Sequence, residues 1–166
     1  MAELTAIESK IGEVLGLAMA AQGATQKVAK LVEDEGGHDD LRATLERMHE
    51  EAKETEKRTT ELAEALDGKK TVILEKARET KQEATEMMST YLGDDADALD
   101  GFEFLTMAEA GEVGHWSIVG KLNDRARIPG LQELVDWATP IQQRHLKDTL
   151  QGSLELAGDE DPNEPA

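Results

Sequence analysis

The sequence predicts an all-α protein, a bundle of long helices, on three observations. Apolar residues recur at alternating spacings of three and four, the mark of one buried helix face. Glycine or Asp-Gly breaks interrupt the stripes at intervals of roughly 30 residues, a length suited to bundle helices. Aromatic residues are only 3% of the chain, and all five, Tyr91, Phe102, Phe104, Trp116 and Trp137, fall in its second half. The first half must therefore pack through aliphatic and alanine side chains, which suits helices laid side by side.

The first stripe runs from Leu4, Ile7, Ile11 and Val14 to Val28 and Val32, a helix on the order of 45 Å long. Gly12 and Gly16 weaken its propensity but let a neighbouring helix come close. Gly36-Gly37 ends it, with His38 or Asp39 as cap for the next helix. Leu41, Leu45, Met48, Ala52, Thr55, Thr59, Leu62 and Leu66 repeat the pattern, so the short turn makes an antiparallel hairpin, closed by Asp67-Gly68. A third helix, from about Lys70 to Leu92, presents Ile73, Ala77, Thr80, Ala84, Met87 and Tyr91 on one side. After an aspartate-rich loop come a fourth helix, Phe102 to Leu122, and a last one, Leu131 to Leu156. Pro140 is expected to kink or restart that helix, with Thr139 capping the second piece. Gly114 and Gly120 are expected to admit a neighbouring helix. The order predicts a four-helix bundle, two antiparallel hairpins joined by a long crossover that contains an extra helix. Residues 1–157 form this single domain, and residues 158–166 are read as a disordered acidic tail.

Thirty-six acidic against 18 basic residues give a net charge of −18, which disfavours nucleic acid and anionic membranes as partners. With no cysteine, any metal must be held by carboxylate, imidazole or amide groups. The best apolar run, Ile11 to Ala21, is short and carries Glu13, and Glu3 and Glu8 stand where a signal peptide would be basic. The expectation is a soluble, cytoplasmic protein. No serine has histidine and acid at nucleophile spacing, and no phosphate-cradling glycine loop is present.

Polar residues fall where the core should be. Glu46 with His49, Glu112 with His115 and Gln142 with His145 are i, i+3 pairs, which share a helix face. Glu46 and His49 rotate roughly 100° off their apolar seam and read as surface. Glu109 and Glu112 instead replace apolar residues on the stripe of Phe102, Leu105, Trp116 and Val119. On the last helix, Gln142 and His145 continue the stripe of Leu131, Val135 and Ala138. A turn centred near residue 127 sets Glu112 level with Gln142 and Glu109 level with His145. Two buried carboxylates without partners would cost several kcal/mol, so a metal, a proton, hydrogen bonds or water must neutralise them. Three readings stay open: a satisfied buried network, a metal half-site of Glu109, Glu112 and His145 beside Gln142, suited to iron or manganese, and a wet or exposed face. Trp116 and Trp137 are expected to fill core nearby, with an indole N–H able to donate to a carboxylate. The same register test sets Glu46 opposite Lys27 and Glu51 opposite Gln22 in the first hairpin.

Ala20-Ala21-Gln22, the run Leu41 to Thr55, Ala108-Glu109-Ala110-Gly111-Glu112 and the run Gln142 to His145 together carry a family likeness. Over most of residues 4–156 the chain resembles the ferritin-like superfamily, and within it the YciE/YciF-type stress-associated branch. The resemblance implies a bundle whose centre holds two iron or manganese ions, with carboxylates on the first and third core helices and Glu-x-x-His on the second and fourth. By position, Glu112 or Glu109 matches the third-helix carboxylate, and Gln142 with His145 matches the fourth-helix pair. Gln22 stands where the first carboxylate belongs, Thr55 at the second histidine position, and Gln142 in place of glutamate. The expectation is a stress-related, ferritin-like homodimer with a degenerate or absent di-metal site and no catalytic residue. Were it active, oxidase or peroxide chemistry would be implied. The alternative is a non-catalytic interaction protein whose Gly12/Gly16 face or Met87-Met88 region docks a partner protein's helix.

Overall fold

Five helices and no strand make up the described residues, 3–165, of the computed structural model: α1 (Ala6–Glu35), α2 (Asp39–Ala65), α3 (Lys70–Tyr91), α4 (Ala98–Ala126) and α5 (Leu131–Asp159). Residues 1–2 and 166 of the expected domain and tail lie outside the described residues.

Local chemistry sets the helix ends. The Thr5 hydroxyl accepts from the Glu8 N–H at 3.3 Å and the Glu8 carboxylate accepts from the Thr5 N–H at 2.7 Å, so α1 starts at Ala6 rather than Leu4. Gly36 and Gly37, at φ of 76° and 91°, take the left-handed backbone that ends it. His38 is the N-cap of α2 but makes no side-chain capping bond. Asp97 and Asp100 form a second capping box, and Glu35 Oε1 accepts from the Ala98 N–H at 2.7 Å. These anchors start α4 ahead of Phe102, and Gly101 then sits in the first turn against Val28.

Helix α5 runs unbroken through Pro140, correcting the expected restart. Proline removes the N–H that would bond the Asp136 carbonyl, and both residues are exposed, so water can serve that carbonyl. The Thr139 hydroxyl is buried without a partner and caps nothing. Residues 160–165 follow as exposed chain.

Helix α1 packs against α2, α3 and α4, while α5 lies along α4 and more narrowly against α2. The two hairpins therefore stand side by side, with α3 on the outer side of α1. Gly12 and Gly16 seat α3: a Cβ on Gly12 would come within 3.0 Å of Lys76 Cβ, and one on Gly16 would strike the Ala77 carbonyl and Thr80. The glycine face is thus covered by the chain's own helix, which corrects its reading as a docking surface. Gly120 faces Val135 as expected, whereas nothing lies near Gly114.

Two apolar clusters form the core. Ile11, Val14, Ile73, Trp116 and Leu131 belong to one; Val28, Leu45, Phe102, Leu105 and Leu156 belong to the other. Each of α1, α2, α4 and α5 passes from one cluster to the other, and in α2, α4 and α5 the crossing is polar. Thr55 and Thr59 on α2, Glu109 and Glu112 on α4, and Gln142, His145 and Thr149 on α5 are all buried there. The threonine hydroxyls donate to carbonyls one turn back on their own helices, at 2.7–2.9 Å. The four longer side chains must find partners across helices. No helix among the described residues is long and apolar enough to cross a membrane.

Candidate functional site

The α4–α5 turn places the polar belt. Asn123, buried near the end of α4, accepts from the Ile128 N–H at 2.9 Å, and Arg127 takes the left-handed conformation at φ 51°. This turn returns α5 antiparallel to α4 in the register read from the sequence. Gln142 Nε2 donates to Glu112 Oε2 at 2.9 Å, and His145 Nδ1 lies 3.5 Å from Glu109 Oε2. All four side chains are 2–3% exposed, so each polar atom must be satisfied inside the protein or carry a penalty.

Sequence reasoning set Glu51 opposite Gln22 and left it out of the cluster around His145. This α2 residue places Oε2 at 2.7 Å from His145 Nε2, and the same oxygen accepts from Arg144. Arg47 lies 3.7 Å from Oε1 and also pairs with Asp148. Glu51 is three residues after Met48 and four before Thr55, so its place on the buried flank of α2 was readable. Its partner was not: the simple register pointed it at Gln22, whereas Gln22 Nε2 donates to the Glu56 carboxylate. The first-hairpin histidine also differs from expectation. His49 is half-buried, with Nδ1 at 3.1 Å from the Gln22 carbonyl and 3.3 Å from Thr25 Oγ1, while Glu46 is exposed.

His145 therefore joins a carboxylate of α2 to one of α4. Burial opposes its protonation, but Glu109 first and then Glu51 outweigh burial and raise its pKa above the ordinary 6.5. A doubly protonated ring also offers an N–H toward each carboxylate. For Glu112, burial first and the charge of Glu109 second hold the carboxyl well above the ordinary 4.5. It keeps its proton where an exposed glutamate has lost one.

Hydrogen bonding does not balance fully. Glu109 Oε2, Gln142 Oε1 and Trp116 Nε1 are buried with no hydrogen-bond partner. The ion-pair distance from His145 to Glu109 thus falls short of hydrogen-bond geometry. Trp116 fills core as expected, but its indole N–H does not reach a carboxylate. Trp137 is only partly buried and carries the Arg58 guanidinium over its ring at 4.2 Å.

A metal pair needs several ligand atoms converging on one point. Among the described residues, the group with three ligand atoms mutually within 4.8 Å is His38, Asp40 and Glu155, outside the belt. In the belt, both ring nitrogens of His145 already face carboxylates on opposite sides, and Gln142 and Gln22 offer neutral amides where carboxylates would bind. His115, the other expected pair member, lies at the surface with Nε2 3.4 Å from Glu13.

Beside the belt, α3 follows α1 but meets α4 at Tyr91 and Phe104, whose ring centroids are 5.8 Å apart. Between α1, α3 and α4 this leaves an open groove of about 760 Å³, to which Glu109 and Glu112 contribute lining. Comparison with protein-family models, curated proteins and solved structures finds no match to this chain.

Proposed function

We propose that the chain is a ferritin-like helical bundle with a stress-related role, in which a hydrogen-bonded polar belt stands at the position of an iron or manganese pair. Two hairpins packed side by side, with α3 outside α1, support the bundle reading. The observation that carries the loss of the metal pair is the placement of His145. One ring nitrogen faces Glu51 and the other Glu109, while Gln142 donates to Glu112. Residues present do not fit a di-metal centre, so no redox or oxygen step is assigned to them. The belt instead fixes the register of α4, α5 and α2, since a slip would leave buried charge unpaired. A second copy of the chain would cover Leu150 and Leu154, exposed one turn apart on α5. The same pair supports the alternative, a non-catalytic interaction protein that shares this buried network.

Elemental analysis tests the proposal on protein purified without chelator or affinity metal, repeated after iron and manganese loading. The expected result is no stoichiometric metal, with unchanged helical content. Binding of about one ion or more per chain, lost in Glu112→Ala or His145→Ala, would replace the belt reading with a working metal site.

A further inference from the structure

Helices α2 and α4 turn very different faces to the outside. On α2, every exposed residue from Glu46 to Glu64 is charged, the usual composition of a helix face turned to water. On α4, the exposed residues between Glu103 and Lys121 are Met107, Ala110, Gly111, Gly114, Ser117 and Ile118, and none is charged. Met107 and Ile118 are 52% and 44% exposed. The Ser117 hydroxyl donates to the Val113 carbonyl at 2.7 Å, so its proton is satisfied within the helix.

The glycines sharpen the contrast. Gly12 and Gly16 seat α3, Gly101 meets Val28, and Gly152 lies against Phe102. A Cβ on Gly111 or Gly114 would meet nothing within 4 Å. Each weakens α4, and no contact within the chain offsets the loss.

Charge returns only at the two ends of this face, as Asp100 and Glu103 at one and Lys121 and Arg125 at the other. All four lie within about 80° of the glycines around the helix, opposite the buried Glu112 and Trp116. The order is self-complementary. About a midpoint between Glu112 and Val113, an antiparallel copy sets its Arg125 level with Asp100, its Ile118 with Met107 and its Gly114 with Gly111. Glu103 and Lys121 match to within one residue. A twofold axis there makes every such contact twice, whereas a parallel copy would set acid on acid. Acids early and bases late also suit the helix dipole, but the dipole gives no cause for the uncharged centre or the open glycines. The four charges cancel, which leaves this face neutral in a chain whose net charge of −18 otherwise repels its copies.

We infer that a second copy of this chain docks here, α4 against α4 and antiparallel, with the twofold axis passing beside Gly111 and Gly114. The neighbour that Gly114 admits is then another molecule. From Asp100 to Arg125 the helix runs about 38 Å. A strip of that length and one helix wide covers on the order of 400 Å² per copy, about half a standard interface, so the dimer exchanges with monomer in the micromolar range. The contact is separate from cover of Leu150 and Leu154 on α5. It rests neither on the ferritin-like reading nor on the belt, and elemental analysis and sedimentation can fail separately.

Because the chain has no cysteine, cross-linking can report the register without background. Full-length protein carrying Met107→Cys together with Ile118→Cys is oxidised with copper phenanthroline at about 100 μM. Residues 107 and 118 of one helix lie about 16 Å apart, beyond a disulfide's reach, so a bridge forms only between copies. A covalent dimer joining 107 to 118 is expected. Either cysteine alone should give at least about tenfold less, since the axis holds identical residues about 16 Å apart. Sedimentation of the unsubstituted chain should show a monomer-dimer equilibrium. Gly114→Glu, which improves helix propensity and sets like charges beside the axis, should shift it at least about tenfold toward monomer. Leu150→Glu should leave it within about threefold. Glu103→Lys should weaken the dimer about fivefold, and Glu103→Lys with Lys121→Glu should restore it to within about twofold. If Gly114→Glu loses helical content by circular dichroism, the cross-linking decides. Four results would each overturn the inference: monomer at every concentration to about 500 μM, single cysteines that cross-link as well as the pair, a charge swap that does not restore the dimer, or a dimer that persists in folded Gly114→Glu and is lost in Leu150→Glu.

Discussion

The seam between α1 and α3 and the belt between α4 and α5 are both helix contacts, but they hold by opposite means. In the seam, Gly12 and Gly16 remove side chains so that backbone meets backbone, and Ile73 and Ala77 are completely buried. Nothing there is charged in its interior, and nothing has room to change. In the belt, long polar side chains meet at hydrogen-bond distance, two raised pKa values coincide, and two carboxyl or amide oxygens still lack partners. Stability without responsiveness belongs to the first contact, and sensitivity to protons to the second.

The sharpest way to break this contrast is to empty the belt. His145→Ala removes the group facing Glu109 and Glu51 and leaves a buried carboxylate alone, so it should cost about 3–5 kcal/mol in denaturant unfolding. A loss below about 1 kcal/mol would show that the belt is no more demanding than surface. Next in size, Gly16→Val forces a branched side chain onto the Ala77 carbonyl and should cost about 1–3 kcal/mol through overpacking. That loss should be the same at every pH, because the seam holds no buried ionisable group.

The belt should respond to pH where the seam does not. Both Glu112 and His145 bind protons more tightly in the folded than in the unfolded chain. Their stabilisation is complete below their ordinary values, 4.5 and 6.5, and is lost as pH rises through the raised ones. Unfolding free energy should therefore fall as pH rises, by up to about 1.4 kcal/mol per unit for each group while it is lost. Glu112→Gln keeps a neutral partner for Gln142, so it should change stability by less than about 1 kcal/mol near pH 5 and flatten the fall above it. A fall as steep in the variant as in the original chain would assign the effect to net charge instead. The smallest change sharpens the seam: Gly23, on the same helix as Gly12 and Gly16, has nothing near it. Gly23→Ala should stabilise by about 0.5–1 kcal/mol, the helix-propensity gain alone, where its crowded neighbours cannot accept the substitution freely.

Much of the fold was legible because helix periodicity is local. The stripes of α1, α2 and α5, the breaks at Gly36-Gly37 and Gly68, and the close approach at Gly12 and Gly16 follow from 3.6-residue geometry and from the missing glycine side chain. Within the candidate site, Glu109, Glu112, Gln142 and His145 were legible together because a short antiparallel turn fixes register to within about one helical turn. Pro140 misled because a proline's damage depends on whether the orphaned carbonyl can reach water, which the sequence does not state.

By itself, the sequence determined the all-helical composition, the number and order of the helices and the sinking of two carboxylates, an amide and an imidazole into one hairpin. Tertiary structure decided where those groups turn: His145 between Glu109 on α4 and Glu51 on α2, and Gln22 toward Glu56. The physical reason is that a stripe records which face is buried, whereas a partner depends on how a third helix is rotated and how closely it can approach. Those quantities are set by the volumes of all the side chains at the contact together, and no single segment encodes them.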